Sequence, residues 1–81
     1  MKQPTIEEIT KKIDMVLNDS VLRKEICEWA TNYIRNDDQV EIRDIKAWHY
    51  LVAISNIDEM IEPDVFLFDK EDIRRIVKEY S

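Results

Sequence analysis

Glycine is missing altogether from this sequence, and with it the residue that tight turns most need. Primed hairpin turns place residues at positive φ, which glycine adopts without steric penalty, so sandwiches and barrels built from hairpins are disfavoured. Glycine-dependent motifs (the phosphate loop, the nucleophile elbow, the EF-hand loop) are excluded for the same reason. The single cysteine, Cys27, cannot make an internal disulfide or a cysteine-based zinc site. The single histidine, His49, would need a nucleophile oriented beside it to act in nucleophilic catalysis, and the one thiol, Cys27, lies in a different segment. No apolar run approaches the length of a membrane span, and Met-Lys-Gln-Pro-Thr leads into Ile6-Glu7-Glu8 rather than a leader's apolar stretch. The expectation is a cytoplasmic protein with no membrane partner. Positive charge is also in short supply: 12 Lys and Arg stand against 18 Asp and Glu, for a net charge of −6.

What the sequence does have is helical periodicity. Apolar residues make up 44% of the chain and charged ones 37%, too hydrophobic a mixture for disorder. The length suits one domain over residues 1–81. Thr5 and Glu8 have capping-box spacing ahead of Ile6, Ile9, Ile13 and Val16, predicting a helix over 5–17. Ser20 is the expected cap of a second helix reaching Arg35, its apolar stripe formed by Leu22, Ile26, Trp29, Ala30 and Tyr33. Asp44 is placed to cap a third, over 45–55. Its apolar rows Ile45–Trp48–Val52 and Ala47–Leu51–Ile54 cover much of its circumference, the mark of a central helix. Ile57 to Ile61 read as a further helical turn before Pro63. Asp69 caps a last helix carrying Ile73, Ile76, Val77 and Tyr80, with acids in its first turn and bases later, the order the helix dipole favours. The fold class is therefore all-α: a compact bundle of about four short helices, with at most a minimal β-bridge between 40–42 and 65–68.

Chemistry-bearing patterns are few. Asp58, Glu59 and Glu62 have spacing that would suit a hard cation, but nothing completes the cage, and a solvated acidic face explains them better. Cys27 reads as a small core hydrophobe and Trp29 and Trp48 as core anchors. No enzyme and no cofactor are expected. Charge is the more informative signal. Residues 1–36 sum to zero, whereas residues 57–72 hold seven acids against Lys70 alone. Such a field repels phosphates, so no nucleic-acid partner is expected. It attracts a basic protein surface. Phe66 and Phe68, among Asp58, Glu59, Glu62, Asp64 and Asp69, would form an apolar anchor with an acidic rim.

Arg23-Lys24-Glu25-Ile26 leading to Trp29-Ala30, then Asp37-Asp38, Ile42, Asp44, Trp48, Leu51 and Asp58, then Phe66-Leu67 and Asp72-Ile73, resembles an outline shared by small acidic uncharacterised bacterial proteins. Some of these look like immunity proteins of toxin systems. The resemblance implies a partner-binding protein and identifies no site. Together with the charge pattern it gives the expectation of a protein-binding inhibitor of a basic partner such as a toxin nuclease, held at Asp58, Glu59, Glu62, Asp64, Phe66, Phe68 and Asp69. The competing expectation is a structural or regulatory helical subunit that self-associates as a homo-oligomer through the third helix.

Overall fold

The computed structural model describes residues 2–63 and 65–81. Helix α1, Ile6–Leu17, starts where the sequence places it: the Glu8 N–H donates to Thr5 Oγ1 at 3.1 Å, and Ile9, Ile13 and Val16 turn inward. The chain leaves α1 through Asn18, whose Oδ1 accepts from the Ser20 N–H at 3.0 Å. Asp19 there has φ 62°, the only positive φ among the described residues. Aspartate is one of the few residues that tolerates this region, and it serves here in glycine's absence.

Helix α2, Arg23–Arg35, begins later than Ser20 predicts, because Leu22 takes the cap position and makes no side-chain cap bond. Leu22 is consequently exposed and drops out of the stripe, while Ile26, Cys27 and Ala30 are buried. Trp29 and Tyr33 meet edge-on at 5.5 Å and are half-buried against the core, with the Lys12 ammonium 5.1 Å over the indole. A single 3-10 turn, Asp37–Gln39, leads to buried Val40.

The stretch before α3 is fastened to the N-terminal segment. Gln3 Oε1 accepts from the Arg43 and Asp44 N–H groups at 2.5 and 2.8 Å, Gln3 Nε2 donates to the Asp44 carbonyl at 2.9 Å, and Lys2 bridges Glu41 in parallel. Helix α3, Ile45–Ile54, is capped as expected, the Ala47 N–H donating to Asp44 Oδ1 at 3.1 Å. It packs against each of the other α-helices. Tyr50, Leu51 and Ile54 join Ile9, Ile13, Ile57 and Ile73 in the fully buried centre. The Tyr50 ring stacks on Tyr80 at 5.5 Å, and its hydroxyl meets that of Thr10 at 2.9 Å, so the one polar atom it takes inside is satisfied.

Of the expected strand pair, 65–68 does hold a strand, but 40–42 is not its partner. Residues 57–61 do not add a helical turn; β1, Met60–Glu62, runs antiparallel to β2, Val65–Phe66, with a bulge between Met60 and Glu62. Pairing segments this close in sequence closes a much shorter loop than joining 40–42 to 65–68 would. Helix α4, Lys70–Tyr80, has the full reciprocal cap: the Asp72 N–H donates to Asp69 Oδ1 at 2.8 Å and the Asp69 N–H to Asp72 Oδ2 at 3.2 Å. The mainly helical class holds, with a small two-stranded sheet added.

Candidate functional site

The acidic segment folds into the β1–β2 hairpin and its flanks, which brings Asp58, Glu59, Glu62, Phe66, Phe68 and Asp69 into one region; Asp64 lies outside the described residues. Most of these groups are occupied in holding that region together. The Arg23 guanidinium lies 4.0 Å over the Phe66 ring and donates to the carbonyls of Ile57, at 3.0 Å, and Phe68. Phe66 is half-buried beneath it, and Phe68 packs against the core. Neither phenylalanine is a free anchor. Asp69 is committed to the α4 cap, where the Asp72 N–H holds its carboxyl below the ordinary aspartate value. Asp58 sits half-buried beside Cys27, whose thiol burial pushes up to about 11, an inert core thiol. Glu59 and Glu62 alone of the set are simply exposed. No three His, Cys, Asp or Glu side chains come together as a metal cage among the described residues.

A second surface lies on α3, the helix that the sequence offered for self-association and not for nucleic acid. Of the two apolar rows on α3, Ala47–Leu51–Ile54 is buried and the other is open. Ile45 remains 58% exposed and Val52 40%, with Lys46 and His49 exposed between them and Trp48 half-buried alongside. Trp48, His49, Val52 and Ala53 form, with Tyr80, a shallow concavity of about 390 Å³. Helix α3 also contains no carboxylate, whereas α1, α2 and α4 each contain at least two. At its start stand Lys2, Arg43 and Lys46. The nearby acids are already engaged: Glu41 pairs with Arg43 at 2.6 Å and Asp44 caps the helix. The other basic cluster, Arg74, Arg75 and Lys78 on α4, is interleaved with Glu71, Asp72 and Glu79, and Arg75 reaches Asp72 at 3.5 Å. An acid-free helix face with cations at one end and two apolar side chains along it suits a polyanion that also offers apolar edges.

Comparison with known proteins decides how that face is weighed. The family model described as YxzC DNA-binding protein matches residues 3–80. The chain belongs to that family. It is also 30% identical, over all 81 of its residues, to the uncharacterized protein YxzC of Bacillus subtilis (strain 168), and spans 66% of that protein's length. No solved structure matches. No helix among the described residues is long and apolar enough to cross a membrane.

The family's DNA-binding description overturns two expectations: that nucleic acid is excluded as a partner, and that the chain is a protein-binding inhibitor of a basic partner. The physical error lay in treating net charge as a surface property. The acids that set the total are concentrated at the hairpin and the start of α4, and α3 has none. The signal was available in the chain as the one helical segment without Asp or Glu, but its outer apolar row read as core.

Proposed function

We propose that this protein binds duplex DNA through the outer face of α3. Membership of a DNA-binding family carries the reading, and the lack of carboxylates on α3 selects the face. Lys2, Arg43 and Lys46 would meet phosphates, while Ile45, His49 and Val52 line the helix surface presented to the groove. A ten-residue helix is about 15 Å long, and the major groove accepts a helix along such a length. The role is binding rather than catalysis, and for a bacterial chromosome-binding protein its place is the cytoplasm.

A net charge of −6 shapes the mode of binding. Sequence-independent affinity comes almost wholly from phosphate neutralisation, and this chain has few unpaired cations to offer. Affinity then depends on base contacts, so the ratio of specific to non-specific binding is high. The test is fluorescence anisotropy with a duplex enriched from a random pool at low salt. Lys46→Glu should weaken binding about thirtyfold, the scale of one good charged contact. Lys46 is exposed and an acid near a helix start is tolerated, so the variant folds. Glu59→Gln with Glu62→Gln should leave affinity within about twofold. A wild-type protein that retains no duplex from the pool rejects the reading.

A further inference from the structure

We propose that α3 reads thymine in the major groove, Ile45 and Val52 contacting the C5 methyl groups of two thymines about three base steps apart, while His49 donates to an acceptor atom of a base between them. This rests on the DNA-binding reading and adds which base edge the face recognises.

The chemistry of the exposed row carries the inference. Two branched apolar side chains, 58% and 40% exposed, stand on one face of a helix and open to solvent. Among base edges only thymine offers a methyl group in the major groove, and apolar side chains are its usual complement. His49, between them, can donate a ring N–H, while Lys46 is left to a phosphate at the end of the row. That donor matches a purine N7, guanine O6 or thymine O4. Cytosine shows an amino donor there, which Asp and Glu accept, and α3 has neither. The face therefore favours sites whose thymine methyl groups face it.

Spacing makes the inference sharper. Ile45, His49 and Val52 fall at i, i+4 and i+7, a single row along the helix. Seven residues of α-helix advance about 10 Å, close to three base steps of about 3.4 Å. A helix lying along the groove thus places Ile45 and Val52 over bases about three apart, with His49 between them. The occupant is a nucleic-acid duplex because Lys2, Arg43 and Lys46 border this row at one end and no carboxylate lies within it.

The test uses the whole protein and two forms of one probe: a random-sequence duplex pool, and the enriched sequence remade with deoxyuridine for thymidine, which deletes the methyl and leaves hydrogen bonding intact. The enriched site should contain thymines about three positions apart. The uracil duplex should bind about fourfold more weakly for each methyl lost, from the free energy of burying one such group. Ile45→Ala with Val52→Ala should weaken binding to the thymine duplex to the same degree and leave binding to the uracil duplex unchanged. The uracil substitution needs no protein variant, so folding of the double variant does not limit the test. Equal wild-type affinity for both duplexes overturns the thymine inference and leaves DNA binding standing. Loss of all duplex binding overturns both.

Discussion

The hairpin region at 57–69 and the outer face of α3 both expose apolar side chains, yet they differ in what surrounds them. Around the hairpin, Met60, Ile61, Val65 and Leu67 are exposed among Asp58, Glu59, Glu62 and Asp69. On α3, Ile45 and Val52 are exposed beside Lys46 and His49, with no acid on the helix. The same apolar chemistry thus lies in opposite fields within one small molecule. A polyanion approaching the hairpin meets the exposed Glu59 and Glu62; one approaching α3 meets Lys2 and Lys46, with Glu41 already paired to Arg43 and Asp44 engaged in the cap. A whole-chain charge of −6 averages over this difference and conceals it.

The sharpest way to break the comparison is to ask whether the outer row of α3 really is open. Leu51 and Val52 are adjacent in sequence but project about 100° apart around the helix, one buried and one exposed. Leu51→Ala should destabilise the protein by about 2–5 kcal/mol, a loss of transfer energy plus a cavity in a domain with little stability to spare. Val52→Ala should change it by less than about 0.5 kcal/mol. Urea unfolding followed by circular dichroism measures both. Comparable losses would mean that Val52 is covered and unavailable to a ligand.

How legible these features were depended on whether the deciding interaction was local. Thr5, Asp44 and Asp69 announced three helix starts because a cap and its N–H partner lie three residues apart, within the reach of any sequence window. The α2 start was missed because Ser20 is used differently: its N–H donates to Asn18, and the helix waits for Arg23. The strand's partner was misplaced because Val40 and Ile42 alternate with polar residues as well as any strand does. Nothing local shows that Glu41 would pair with Lys2 instead. The α3 face was the hardest to see. Ile45, Trp48 and Val52 have the same composition as a buried row, and only the packing of α1, α2 and α4 around Ala47, Tyr50, Leu51 and Ile54 decides which row stays outside. The grouping of Asp58, Glu59, Glu62, Phe66, Phe68 and Asp69 was legible as a region. The long-range clamp of Arg23 on Phe66 and on the carbonyls of Ile57 and Phe68, which occupies it, was not.

A smaller effect tests the hairpin side of the comparison through pH. The Asp69 carboxyl is held below its ordinary value chiefly by the Asp72 N–H at the start of α4. Because its folded value is depressed, the cap contributes its full stabilisation above the ordinary aspartate value, near pH 4, and loses it as pH falls through the folded value. Asp69→Ala should therefore lower the thermal midpoint by about 4 °C at neutral pH and by progressively less below about pH 4. A difference between variant and wild type that stays constant down to pH 2 would show that the cap does not depend on the ionised carboxylate.

The smallest expected effect separates the two regions most directly, because it is read as a slope rather than an affinity. Each phosphate neutralised on a duplex contributes about −0.9 to the dependence of log affinity on log salt concentration. If Lys2, Arg43 and Lys46 make the phosphate contacts, the wild-type slope should be about −2.7, shallow for a DNA-binding protein. Lys46→Ala should reduce its magnitude by about 0.9, since one counterion fewer is released. Glu59→Gln with Glu62→Gln should leave the slope unchanged: charges that meet no phosphate release no condensed ions, even where they alter the field at long range. Arg74→Ala with Lys78→Ala provides the contrast on α4. If that pair reduces the slope and Lys46→Ala does not, the duplex lies against α4 and the assignment to α3 fails, whatever the absolute affinities. Since the slope counts ions rather than energies, it distinguishes a face that touches phosphate from one that merely tolerates its approach.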